Sequence, residues 1–275
     1  MATTVSSLSR PWLPRRGKGR GKGGVSFALY RIAGYLFFLL LWQFLSSNVL
    51  NAVTLPPPSK VFEEMREIIA EDALWPNVRY TMTTFLIVFA ISYPLGVLIG
   101  VVMGRSRYWD AFFRDFVLAG LTTPGLVFVF VGIMLFGIDK WGRILPVVVI
   151  VIPLVVVNVV EGVRAIPRDL FDMSRAYRVP SPRRLRHVLL PGIAPYLFTA
   201  ARYAVAVGLR GSALVEVFGG TAGLGFQLRR NFDRFSVAGT LAWALFIVII
   251  VVLVERLILN RLEKYFFRWR PAAFT

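Results

Sequence analysis

The sequence predicts an all-α membrane protein: six transmembrane helices, with a cytoplasmic helical loop between the fourth and fifth. Three observations predict it. First, 56% of the 275 residues are hydrophobic and only 17% are charged, where a soluble domain carries about a quarter charged residues. Second, the mean hydropathy is +0.65, and it is concentrated in continuous runs close to the ~20 residues that cross a bilayer as a helix. Such runs do not alternate in ten-residue pieces, as barrel strands do. Third, the basic residues fall mainly in every second connecting segment, which is how a multi-span chain fixes its orientation.

The chain opens on a tail over residues 1–24 that contains "RRGKGRGKGG". That run is low-complexity, glycine-rich and basic and cannot build a core, so the tail is expected to be disordered, to lie in the cytoplasm and to touch anionic lipid. Its glycines lack the Gly-x-x-x-x-Gly-Lys-Ser/Thr spacing of a phosphate loop. No nucleotide site is therefore expected in this chain, and no ATP hydrolysis by it. The first span, about 27–45, is too long for a signal-peptide core and is read as uncleaved. An acid-rich outer segment follows, in which "LPPPSKVFEEMREII" predicts a proline turn and then a short amphipathic helix.

The second span, 80–103, carries Gly96, Gly100 and Gly104 on one helical face after Pro94. Small residues at this spacing let two backbones approach closely in lipid. Packing within the chain and packing against a second subunit both fit that stripe. The third and fourth spans, 116–136 and 144–160, contain Pro124, Pro146 and Pro153, which are expected to interrupt them. A bundle with several breaks resembles a transporter more than an anchor. The fifth span, 196–218, carries Arg202, Arg210 and Glu216, and each charge inside a span is a functional candidate. Arg202 sits close enough to the span's end to snorkel. Arg210 lies near mid-depth, where it either pairs with a carbonyl or acid of a neighbouring helix or lines a water-filled path for anions. Glu216 stands about 240° around the helix from Arg210, so the two do not pair directly. The sixth span covers 237–254, the membrane domain 25–270, and a cytoplasmic tail 271–275.

With both termini inside, cytoplasmic segments hold 22 of the 32 Lys and Arg residues and outer segments hold 8. The net charge of +17 is thus explained by topology, and nucleic acid is not the expected partner. The chain has no cysteine and one histidine, which excludes disulfides and thiolate sites and leaves His187 without companions for a metal centre. A membrane-embedded enzyme would need clustered His, Asp or Glu. A secondary transporter driven by an ion gradient would more often need two related halves. Neither pattern is found.

The loop between the fourth and fifth spans reads "FDMSRAYRVPSPRRLRHVLLPGIAP". Pro167 and Asp169 favour a helix start, and that helix should end before Pro180. Ser181 as N-cap and Pro182 at the first position restart a second helix. A helix, a bend and a helix is more order than a tether requires.

This stretch resembles the cytoplasmic signature of type I ABC importer permeases: Glu-Ala-Ala, three residues, Gly, nine residues, Ile, one residue, Leu-Pro. Asp172, Met173 and Ser174 occupy the first three positions and Arg178 the glycine position. Val188, Leu190 and Pro191 close the pattern. The spacing fits throughout, and Arg178 is the departure. "LPPPSKVFEEM", "YPLGVLIGVVMGRSR" and "LRGSALVEVFGGTAGLGFQL" are similar to the branch that carries aliphatic sulfonates, taurine, nitrate and bicarbonate, over roughly residues 30 to 270.

The resemblance implies a bacterial inner-membrane subunit assembled with a second permease chain, expected to be identical, and two ATP-binding subunits. A solute-binding protein would dock outside, and ATP and Mg would be held by the ATPase partner, not by this chain. Coupling to that partner would run through Asp172, Met173, Ser174, Arg175, Ala176, Arg178, Pro180, Arg183, Val188, Leu190 and Pro191. Arg210 and Glu216 would belong to the translocation pathway. Arg229, Arg230 and Arg234, near the "GGTAGLGFQL" turn, are either contacts for the binding protein or solvated loop charges.

Overall fold

The structure, a computed structural model, describes residues 23–49, 54–259 and 261. Of the tail 1–24 expected to be disordered, residues 1–22 lie outside the described residues, as does the tail 271–275, while Gly23 and Gly24 instead open α1. Every described element is helical: α1 (Gly23–Phe44), α2 (Pro58–Ala70), α3 (Leu74–Arg105), α4 (Arg107–Thr122), α5 (Gly125–Phe136), α6 (Lys140–Arg164), α7 (Arg168–Ala176), α8 (Ser181–Arg184), α9 (Leu190–Gly219), α10 (Leu224–Asp233) and α11 (Val237–Leu253). Single π turns extend α1, enter α9 at Leu185–Leu189 and follow α11. Five helices are long and apolar enough to cross a membrane, and six crossings result if α4 and α5 count as one broken span.

The third span is interrupted at Pro124, as expected: α4 and α5 meet at 101°. Thr123 and Pro124 both adopt extended backbone there, as expected where a residue precedes proline. The other prolines do not interrupt their helices. Pro94 lies inside α3, and Pro146 and Pro153 lie inside α6. The two α6 rings sit in gaps left by glycines, Pro146 against Gly132 of α5 and Pro153 against Gly120 of α4. Each ring packs against a neighbour that lacks a side chain, and α6 continues through both.

Helix α6 is the hub. Val147, Val151, Val155, Val159 and Val163 recur every four residues along it and are all buried. A side chain begun at Gly96, Gly100 or Gly104 would bring its first carbon within 2.7 Å of the Cβ of Val155, Val159 or Val163 respectively. Gly211 of α9 meets Val147 at 2.7 Å in the same sense. The glycine stripe is therefore an intramolecular seat for the valine ridge, and α3 and α9 grip different halves of it. Small-residue contact of this kind supplies van der Waals packing where lipid offers no hydrophobic drive.

The short helix α2 is amphipathic, as expected. Val61, Met65 and Ile68 are buried against Leu224, Ala242, Trp243 and Phe246. The bundle thus has two ends. One carries α2 and α10; the other carries α7, α8 and the α3–α4 turn.

Candidate functional site: two polar ends of the bundle

At the α10 end, a buried polar lock holds the turn that joins α9 to α10. Glu216 is 1% exposed, and its Oε2 accepts from Thr81 Oγ1 at 2.8 Å and from the Gly225 amide at 3.1 Å. Thr81 in turn accepts from the Leu224 amide at 3.0 Å, and Asn77 Oδ1 accepts from the Gly223 amide at 2.9 Å. Three first-turn amides of α10 and its entry residue, which no helix carbonyl could satisfy, are thereby satisfied by α3 and α9. Gly223 has φ +105° and lies against the Glu216 carboxyl, so the turn requires glycine there. Arg143 stacks over the Tyr80 ring nearby, 5.4 Å from its centroid.

Glu216 consequently faces no open passage in this conformation. Sequence reasoning missed its partners Asn77 and Thr81, although two polar residues four apart at the mouth of an apolar helix were the available signal.

Arg210 behaves differently. It is exposed, on the same side of α9 as Tyr203, which is 50% exposed. Its neighbour Gly211 packs on Val147, about 10 Å along α6 from Lys140 at 1.5 Å per residue. Arg210 thus stands in the half of the bundle nearer α10, on a face this chain does not cover. Arg202, nearer the other end, lies 3.7 Å from Glu255.

At the opposite end, Asp110 is 8% exposed. It pairs with Arg114 on its own helix and with Arg164 at 2.8 Å, tying the start of α4 to the end of α6. Beyond it hangs the elbow. Helix α7 ends in a Schellman arrangement: the Val179 amide donates to the Ser174 carbonyl at 2.9 Å, and Arg178 sits between them at φ +52°. That is the position where helices usually end on glycine. The bend that the signature glycine would form is therefore retained with arginine in its place.

The second helix begins at Ser181 with Pro180 as its cap residue, one position earlier than expected. The Ser181 hydroxyl accepts from Arg184 at 2.9 Å and does not cap the backbone. Leu170, Met173 and Tyr177 are 46%, 58% and 77% exposed on one side of α7. Asp172, Ala176, Pro180, Arg183, Leu190 and Pro191 are exposed as well, while Ser174 is buried and Val188 half-buried. Arg175 lies on α7. The elbow's base is fixed by Leu189 and Ile193, at 1% and 0% exposure, in the cluster that also holds Ile166. Leu189, the anchor itself, falls between the signature positions and was missed for that reason.

A kinked helical bundle in the membrane, with an ordered elbow at one end and a locked turn at the other, defines a permease-type membrane subunit. The chain belongs to the family of binding-protein-dependent transport system inner membrane components, whose profile matches residues 92–270. It is 27% identical over 246 residues to the bicarbonate transport system permease protein CmpB of Synechococcus elongatus, covering 84% of this chain and 86% of that protein. It is 23% identical to the formylaminopyrimidine transport permease protein ThiX of Halalkalibacterium halodurans (86% and 94% covered). To the taurine transport system permease protein TauC of Escherichia coli it is also 23% identical (83% and 84% covered). Among solved structures, an inward-facing form of the MetNI methionine ABC transporter superposes with a TM-score of 0.56 at 21% identity. That match covers 75% of this chain and 94% of the other, and it supports the fold. The expected family is thus the family found.

Proposed function

We propose that this chain is the membrane-spanning subunit of an ATP-driven importer for a small anion, coupled to its ATPase through the α7–α8 elbow. One observation carries the reading. Leu170, Met173 and Tyr177 form an exposed apolar strip on a helix outside the bundle, a surface that calls for a protein partner. The Schellman bend and the Leu189 anchor make the elbow stiff enough to pass on a rigid-body displacement. In this reading the elbow faces the cytoplasm, where basic residues accumulate, and both termini are inside. Two ATP-binding subunits holding ATP and Mg seat the elbows of two permease chains, taken as identical. A solute-binding protein meets the α2 and α10 end.

The relatives carry different cargoes by name: bicarbonate, taurine and a formylaminopyrimidine. The anion assignment therefore rests more on Arg210. A guanidinium exposed at hydrocarbon level is costly against lipid. It becomes favourable beside water and an anionic solute, on a face that a second permease chain would close into a passage. Glu216, in turn, acts by holding the α9–α10 turn at the passage's outer mouth.

The test is reconstitution with the ATPase and binding protein, measuring ATP hydrolysis and uptake together. Arg178→Glu is expected to leave hydrolysis while abolishing stimulated uptake. Arg210→Ala is expected to lower uptake of bicarbonate, nitrate or sulfonate at least tenfold. Unchanged coupling in the first variant would remove the elbow's role; unchanged anion uptake in the second would remove the pathway's.

A further inference from the structure

A cavity of about 1040 Å³ lies at the elbow end between the α3–α4 turn, the end of α6 and α8. That is at the upper end of the volumes that hold small ligands; the cavity shares Asp172 and Leu189 with the elbow, while the coupling proposed above uses the outward strip of α7. Its wall is divided. Met103, Val163 and Leu189 give an apolar floor, all at 6% exposure or less. Arg105, Arg107 and Arg184 line the same cavity. Arg114 and Arg164 also line it, but both are committed to Asp110. The other lining carboxylate, Asp172, is engaged in an interaction of its own.

Among the described residues no carboxylate forms an ion pair with Arg105, Arg107 or Arg184. The Nε of Arg184 is buried without a hydrogen-bond partner, a cost that a ligand oxygen would remove. Depth is given by the flanking aromatics. Tyr108 and Trp109, next to Arg107, are 88% and 49% exposed, and such residues mark the headgroup level of a bilayer.

We propose that this pocket binds the phosphate of an anionic phospholipid headgroup, with the glycerol and upper acyl segment against the apolar floor. Guanidinium forks match phosphate oxygens, and a half-apolar, half-cationic cavity at headgroup depth suits an amphiphile better than a free ion. The proposal does not depend on which solute the chain carries.

The test is native mass spectrometry of the delipidated full chain with added phosphatidylglycerol, phosphatidylcholine or inorganic phosphate. Phosphatidylglycerol is expected to be retained about tenfold over phosphatidylcholine. The triple change R105Q/R107Q/R184Q should reduce it to the phosphatidylcholine level, and K60Q/R66Q at the opposite end should not. A phosphatidylglycerol with a photoreactive headgroup, applied to the unaltered protein, should label the segments 103–114 and 184–189, which removes any dependence on the variant's folding. Equal retention of the two lipids, labelling elsewhere, or a triple variant that keeps its phosphatidylglycerol would overturn the site. Displacement by millimolar phosphate alone would overturn the lipid as its source. Loss of labelling when the ATPase assembles would give the cavity to that partner.

Discussion

The two ends of the bundle are both polar, yet they are built on opposite plans. At the α10 end, one acid, one threonine and one asparagine turn inward and satisfy the amides of a tight turn. Little of that lock meets solvent. At the elbow end, charge is in excess, a large cavity stays open, and the apolar strip of α7 points away from the chain. A buried lock of this kind fixes a conformation, because breaking it strands polar groups in a low-dielectric interior. An open basic end leaves bonds to be made with something else. The two plans differ in where polar groups find partners: within the chain at the α10 end, and only in part within it at the elbow end, where Arg184 Nε is buried without one.

The strongest way to break that contrast is to attack what both ends share, the α3–α6 seat. Gly100→Leu would force a side chain into Val159, whose Cβ stands 2.7 Å from a first carbon placed there. A cost above about 3 kcal/mol is expected, read as loss of monodisperse protein after detergent extraction. Next comes the lock itself. Glu216→Ala leaves Thr81 and the Gly225 amide without their acceptor, for a loss of about 3 kcal/mol, read as a lowered unfolding temperature. Thr81→Val should lose about half of that. If both variants melt like the parent, the α10 end is not a lock.

Smallest, and opposite in sign, is Arg178→Gly. Removing the side chain from a φ of +52° relieves about 1 kcal/mol of left-handed strain. The melting temperature should rise slightly and coupled uptake should persist. A fall instead would mean that the Arg178 side chain itself holds the bend.

These regions differed in how legible they were. The glycine stripe was visible because three glycines four apart stand out. Its partner was not, because α6 is valine on nearly every side and any face could have been the seat. The elbow's helix–bend–helix order was written in Pro167, Pro180 and Pro182, and its spacing survived an arginine where glycine is usual. Which proline breaks a helix was not readable. Pro124 stands at the break between α4 and α5, while Pro146 and Pro153 stay inside α6 with their rings against Gly132 and Gly120. That pairing is a tertiary fact with no local signal. The lock at Glu216 was half seen: the acid was noted, but its partners on α3 lie more than 130 residues away in sequence.

The valine ridge also limits how the chain can change shape. Valines four apart seated on glycines four apart work as a toothed rack. A slide of α3 along α6 by less than one tooth, about 6 Å at 1.5 Å per residue, lifts the branched carbons off the glycines and drives them into the side-chain-bearing residues between them. Gradual creep between these helices is therefore barred, so any rearrangement of the bundle has to move α3 and α6 as one body.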